Sequence, residues 1–480
     1  MRRLLALLFM AVAATALGDG EEPARKIDAA AHGGVRADVD RPKPTFMLHE
    51  RDKRVHGLKP FQDLVDAAPA GSTLKPPAGT YAGPVRLDKP LTIDGGGQVT
   101  IDAGGRGTVF LLQADGAVLR GLTLQGSGDS HDTDDSCLDV RGHRNTLESL
   151  VITDCLFGID LKQSNDNQVR NNRISSKPLL LGVRGDALRL WYSHENRIEE
   201  NEVTDSRDMV VWYSNGNLFR NNLGRRSRYS IHFMFADNNE VVGNRFYDNA
   251  VGVYLMYTEG VHIRRNVISH ATGATGMGIG FKEASAAVIE DNEIIYCAVG
   301  VQSDLSPFQP GTKIEFRNNR IAYNGIGMLF TSELGGNVAS DNVFEGNLTH
   351  VAQAGRNTNG LNEWRGNHWD DYQGFDRDGD NTGDTPYELY AFADRIWMEI
   401  PQARFFKTSP ALELLDFLER LAPFSSPDLM LRDESPRFKK QESAARRAAP
   451  SAAQSTNSSR VAANNRHPLP REGGGREGTP

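Results

Sequence analysis

The sequence predicts an all-β fold, a right-handed parallel β-helix with an N-terminal capping helix and a short C-terminal helical segment. The first observation is a periodic asparagine followed two places later by an apolar residue. The series is Asn172/Ile174, Asn201/Val203, Asn244/Phe246, Asn266/Ile268, Asn292/Ile294, Asn319/Ile321, Asn342/Phe344 and Asn367/Trp369. Asn222 keeps the spacing but is followed by Leu223-Gly224, so a register slip is expected there. The second is that each interval of 21 to 29 residues reads as polar turns alternating with short apolar strands. The third is that no 3.6-residue apolar pattern interrupts the repeats. Short units of this kind cannot bury their apolar faces alone, so they stack.

Taken in order, residues 1–18 read as a cleavable secretory signal: Arg2 and Arg3, an apolar stretch from Leu4 to Leu17, then small residues at Ala14, Ala16 and Gly18. The stretch is short for a membrane span. In KPFQDLVDAAPAG, Phe61, Leu64, Val65 and Ala68 share one face of a short helix suited to covering the first coil. The coils are expected to fill residues 55–400 together with that cap. Gly, Asn, Asp and Ser supply the turns, and the periodic Asn is expected to form a side-chain ladder from coil to coil. A C-terminal segment, 401–434, contains PALELLDFLERL, where Pro410 starts a helix and Pro423 ends it. Its Leu414, Phe417, Leu418 and Leu421 form one apolar side that either caps the last coil or docks on a partner. Residues 435–480 are rich in Ala, Ser, Arg, Pro and Gly and are expected to be disordered.

Bulk properties exclude several functions. The formal charge is −8 without a basic stripe, which argues against nucleic-acid binding. No GxxxxGK[ST] phosphate loop occurs, so ATP hydrolysis of that kind would belong to another subunit. Cys137, Cys155 and Cys297 allow at most one disulfide; with no CxxC, buried inert thiols are expected.

Strand parity separates the faces. Leu188, Leu190 and Tyr192 are expected inside, as are Met209, Val211 and Tyr213, then Ile231, Phe233 and Phe235, then Val253, Leu255 and Tyr257. Outside, successive coils bring Trp191, Trp212, Met234, Met256 and Lys282 into one column, with His232 and Tyr254 beside it. Thioether and imidazole are soft ligands, so His232, Met234 and Met256 are the candidate Cu(I) site. Trp191, Trp212 and Tyr254 are candidate partner contacts; covering by another segment of the chain is the structural alternative. Met277 and His270 are placed near the same region. FDRDGDNTGD offers Asp376, Asp378, Asp380 and Asp384 as candidate calcium ligands. It lacks the Gly and Glu of an EF-hand, so an acidic turn held by its own backbone is the alternative. The acidic loop Asp129, His131, Asp132, Asp134 and Asp135 is the best place for acid–base catalysis on a polysaccharide. No catalytic pair is assigned there.

The stretches RYSIHFMFADNN, NAVGVYLMYT, GATGMGIGFKE, GVQSDLSPF and WDDYQGFDRDGDNTGDTPYEL closely resemble the NosD family. So does FFKTSPALELLDFLERLAPFSSPDLMLRDESPR, so that the resemblance runs from about Val55 to Arg437. It implies a periplasmic β-helix with repeats of the carbohydrate-binding and sugar-hydrolase type. It further implies work beside an ABC transporter ATPase and permease, with a copper-chaperone lipoprotein and nitrous oxide reductase as partners in maturing that enzyme's copper centres. No ligand set is carried over from the family. The alternatives are an exported polysaccharide lyase or epimerase, and a metal-free structural adaptor.

Overall fold

The computed structural model describes residues 55, 57–332, 334–353, 361–391 and 428–439. These residues form the expected right-handed parallel β-helix. Each coil has one long strand and two short ones. In one coil these are Tyr229–Met234, Glu240–Val242 and Arg245–Tyr247, and Val251–Met256 begins the next. The long strands stack into a twelve-stranded parallel sheet from Val85–Leu87 to Thr349–Gln353. The short strands pair coil to coil in the same way.

The periodic asparagines occupy the corner between the two short strands, and they do form a ladder. Asn172 Nδ2 donates to Asn201 Oδ1 at 2.9 Å, and the same bond repeats through Asn222, Asn244, Asn266, Asn292, Asn319, Asn342 and Asn367 at 2.9–3.0 Å. Each Oδ1 also accepts the preceding ladder residue's backbone N–H, for example Asn244 N to Asn266 Oδ1 at 2.8 Å. The residue before each rung is left-handed: Glu200, Asn221, Arg265, Asp291, Asn318 and Asp341 have φ of 54–58°. The ladder keeps these non-glycine residues in a region that costs energy for an L-amino acid. A second buried ladder, at the corner after the long strand, joins Asn167, Asn196, Asn217 and Asn239.

The register slip expected after Asn222 is not found. Gly224 pairs with Val203 on one side and Phe246 on the other, in the ordinary register. A Cβ on Gly224 would lie 3.0 Å from Phe246 Cδ1, so the phenylalanine ring fills the place of the missing side chain. The irregularity lies instead in the long-strand sheet, between the pairs Asp208–Tyr229 and Val210–His232.

Inside the coils, Phe219, Phe233, Phe246, Phe281, Phe316 and Phe344 are fully buried. The inward assignment fails for four residues that directly follow the long strands. Tyr192, Tyr213, Phe235 and Tyr257 adopt φ of 47–54° and turn outward. They stack on one another with ring centroids 4.9, 5.2 and 4.8 Å apart. Tyr192 and Phe235 are 44% and 42% exposed. Alternation holds only while the backbone stays extended, and a left-handed residue reverses it.

At the N-terminal end, helix α1 (Phe61–Ala67) buries Phe61 and Val65, with Phe61 edge-on to Tyr81 at 5.4 Å. At the other end, Tyr387–Ala391 pairs antiparallel with Asp428–Asp433. Trp369 stacks between Phe344 at 4.3 Å and Tyr387 at 4.4 Å. Asp433 ends the asparagine ladder: its Oδ2 accepts both the backbone N–H and Nδ2 of Asn367, each at 2.9 Å. The ordered chain continues into the stretch expected to be disordered, where Arg437 reaches Asp341 at 2.6 Å. The predicted signal (1–18) and the predicted helix with Leu414, Phe417, Leu418 and Leu421 lie outside the described residues.

Cys137 and Cys155 form the one disulfide that three cysteines allow, with Cα atoms 5.6 Å apart, which corrects the expectation of inert thiols at these two positions. Cys297 is buried and free, and burial pushes its thiol up to about 12, so it is inert.

Candidate metal-binding face

The outward column of the long-strand sheet is assembled as the parity reading placed it. Trp191 pairs with Trp212, Trp212 with Met234, Met234 with Met256, and Met256 with Lys282. His232 pairs with Val210 and Tyr254 in the adjacent column. Parallel pairing sets these neighbours about 4.8 Å apart, so Met234 and Met256 are adjacent across one strand spacing. His232 is two residues from Met234 on the same strand and face. All three side chains are half-buried.

His232 sits among aromatic rings. Tyr229 stacks on it at 4.8 Å, Tyr254 lies at 5.9 Å and Trp212 is edge-on at 6.3 Å. Both ring nitrogens are shielded from solvent, and neither has a hydrogen-bond partner among the described residues. Trp212 Nε1 is shielded and unpartnered as well. Burial holds the imidazole below its usual range, Asp208 opposes this, and the Arg228 and Arg207 charges depress it further. A neutral imidazole with a free lone pair is the form that binds metals. Burial also pushes the Tyr254 hydroxyl up to about 12, so it stays protonated near neutral pH.

Met277 does approach this face. A Cβ on Gly280 would run into the Tyr254 ring and come within 2.6 Å of Met277 Sδ, so both side chains lean over the glycine. His270 is held at another corner, stacked on Tyr296 at 5.2 Å and bonded to Ser269 Oγ at 2.9 Å.

Upstream, the His232 column continues as a charge network that parity alone did not reveal. Asp139, Asp160 and Arg189 are successive partners in it. Lys162 Nζ contacts Asp160 and Asp134, each at 2.9 Å, and Arg189 bridges Asp160 at 2.5 Å and Asp134 at 2.9 Å. Asp186 and Asp208 pair with Arg207 and Arg228 on the following coils. Burial raises Asp186 to about 6 despite Arg207. The expected register, extended two coils toward the N-terminus, was the available signal for this network.

The acidic loop is tied into these contacts. Asp129 pairs with Lys177 at 2.8 Å, Asp134 joins Lys162 and Arg189, and Asp135 accepts from Ser130 N and Thr133 Oγ1. In the second aspartate loop, carboxylate oxygens of Asp376, Asp378 and Asp380 lie within 4.8 Å of one another, and Asp384 is outside that group. Both Asp376 oxygens accept backbone N–H groups, from Gly379 at 2.8 Å and Asn381 at 3.2 Å, while Asp384 accepts from Arg377 N at 2.9 Å. A third group, His350 with Asp370 and Asp371, escaped the sequence reading because its members come from two coils.

The profile of the family described as "Periplasmic copper-binding protein (NosD)" matches residues 171–374, which include His232, Met234 and Met256. Two relatives named "Probable ABC transporter binding protein NosD" are each 27% identical. The one from Pseudomonas aeruginosa aligns over 72% of this chain and 83% of its own length. The one from Stutzerimonas stutzeri aligns over 76% and 88%. Over these residues the chain is similar to the NosD family. Among solved structures, the A-module of a mannuronan C-5 epimerase from Azotobacter vinelandii is similar at a TM-score of 0.43 and 14% identity, covering 61% of this chain and 92% of that one.

Proposed function

We propose that this chain is an exported, non-catalytic periplasmic component of an ABC transporter system that matures the copper centres of nitrous oxide reductase. It takes Cu(I) at His232, Met234 and Met256 and passes it from a chaperone lipoprotein to the enzyme. ATP is hydrolysed by a partner ATPase, and a permease provides the membrane contact. The observation that carries this reading is His232, a half-buried imidazole held below its usual range, with both nitrogens shielded and unpaired, set beside two thioethers on one face. An unpaired buried polar group costs free energy that a ligand can recover. The family description and the names of the two relatives support the copper and transporter parts.

The test replaces His232, Met234 and Met256 together by leucine and measures Cu(I) affinity against a competing chelator. The expected result is at least a tenfold loss with the β-sheet circular dichroism unchanged. Unaltered Cu(I) affinity would remove this site.

A further inference from the structure

In a plain strand, residues three apart point to opposite faces. Tyr229 and His232 are three apart, yet their rings stack at 4.8 Å with planes 28° from parallel. The irregularity in the long-strand sheet is the cause. Asp208 pairs with Tyr229 and Val210 with His232, so the strand Tyr229–Met234 carries one residue more between these pairs than Asp208–Trp212 does. An extra residue of this kind re-aims a side chain, and such bulges are enriched beside functional sites. Here it turns Tyr229 onto the imidazole.

Tyr229 is itself held in place. Its backbone N–H donates to Asp208 Oδ1 at 3.0 Å. The Arg228 guanidinium lies 4.8 Å from the Tyr229 ring centroid. That guanidinium is fixed in turn by two hydrogen bonds to the fully buried Asp208, from Nε at 3.1 Å and from Nη2. Tyr254 flanks the ring at 5.6 Å. Only the backbone and the ring of Tyr229 enter these contacts. Metal-binding histidines are ordinarily oriented by a hydrogen bond from the second ring nitrogen. His232 makes none among the described residues, so ring contacts orient it. Tyr229 is the nearest of them, against 5.9 Å for Tyr254 and 6.3 Å for Trp212.

We propose that Tyr229 is a positioning residue of the Cu(I) site: its stacked ring fixes the plane of the His232 imidazole, the part a hydrogen bond plays elsewhere. A ring nitrogen is thereby presented to copper beside Met234 and Met256. This rests on the copper site proposed above. The test measures Cu(I) affinity of the full chain against a competing chelator in a double-mutant cycle of Tyr229→Leu and His232→Leu, with Tyr229→Phe alongside. Tyr229→Leu is expected to bind about ten- to a hundredfold more weakly, the usual range for a ligand that loses its orienting partner. Tyr229→Phe keeps the ring and is expected within about twofold of wild type. In the His232→Leu background, Tyr229→Leu is expected to cost nothing further, because its effect passes through the imidazole; a merely structural role would cost the same in both backgrounds. Equal losses in both backgrounds overturn the positioning role, as does wild-type affinity in Tyr229→Leu, and either result leaves the copper site standing. Wild type that retains no Cu(I), or His232→Leu that retains all of it, overturns the site and the positioning role together. If Tyr229→Leu lowers the unfolding midpoint, Tyr229→Thr, suited to a strand, replaces it in the same cycle.

Discussion

Replacing Asp433 by alanine should unzip the last coil. Asp433 is fully buried and accepts from Gly366 N at 3.0 Å, Asn367 N and Nδ2 at 2.9 Å, Ser435 N at 3.1 Å and Trp369 Nε1 at 3.3 Å. Asn367 Nδ2 keeps a second acceptor in Ala339 O, and Ser435 is half-buried and can turn to water. That leaves Gly366 N, Asn367 N and Trp369 Nε1 without partners, at about 1 kcal/mol or more each. The expected cost is ~3–4 kcal/mol, and stacked repeats place it at the affected end rather than spreading it over the solenoid. Hydrogen exchange at the amides of Asn342, Asn367 and His368 should accelerate roughly a hundred- to thousand-fold, with the coils around Asn244 unchanged. Asp433→Asn should cost about half as much, because its amide oxygen can accept from Asn367 as any other rung does. Wild-type exchange in Asp433→Ala would refute the cap. Equal losses in the two variants would show that the charge, and not the mimicry of a next coil, is what matters.

Two further outcomes follow from the same end of the helix and from its middle. Burial disfavours the His350 cation, but Asp370 at 2.8 Å and Asp371 at 3.4 Å outweigh this and raise it to about 9. A raised histidine stabilises the fold fully below its unfolded value of about 6.5 and loses that contribution as pH climbs through about 9. Urea melts should thus show ~3 kcal/mol of stability lost between pH 6 and 10 that is absent in His350→Gln; the same slope in both proteins would exclude His350 as its source. Gly224→Val restores the apolar residue that the repeat has elsewhere, yet it should destabilise by ~1–3 kcal/mol because Phe246 already occupies the space. A more stable Gly224→Val protein by thermal unfolding would show an empty site instead.

The parts of the fold that were legible in the sequence are those fixed by one residue per coil. A buried asparagine leaves a period, and the period gives the register that sets Trp191, Trp212, Met234 and Met256 in a line. The parts that were not legible depend on backbone conformation or on partners far along the chain. Tyr192, Tyr213, Phe235 and Tyr257 follow the alternation in sequence, but their left-handed φ reverses it. Gly224 reads as a break because its replacement is the Phe246 ring on the next coil. The Cys137–Cys155 pair and the Lys162, Arg189 and Asp160 network both need three-dimensional neighbours that no local pattern supplies.

The two ladders and the candidate metal-binding face stand in a definite relation. At the ladder corners most buried amides are satisfied by the coil above or below, so the coils there have little freedom to slide. Around His232 the long-strand sheet inherits that precision without a hydrogen bond to the imidazole. A histidine can therefore be held at a fixed height beside two methionines by backbone pairing and by stacking on Tyr229, its nitrogens left free. If a hydrogen bond positioned His232, metal binding would have to break or compete with it at that nitrogen. Positioning by register and ring stacking leaves both nitrogens open, so a ligand can recover the cost of their being unpaired.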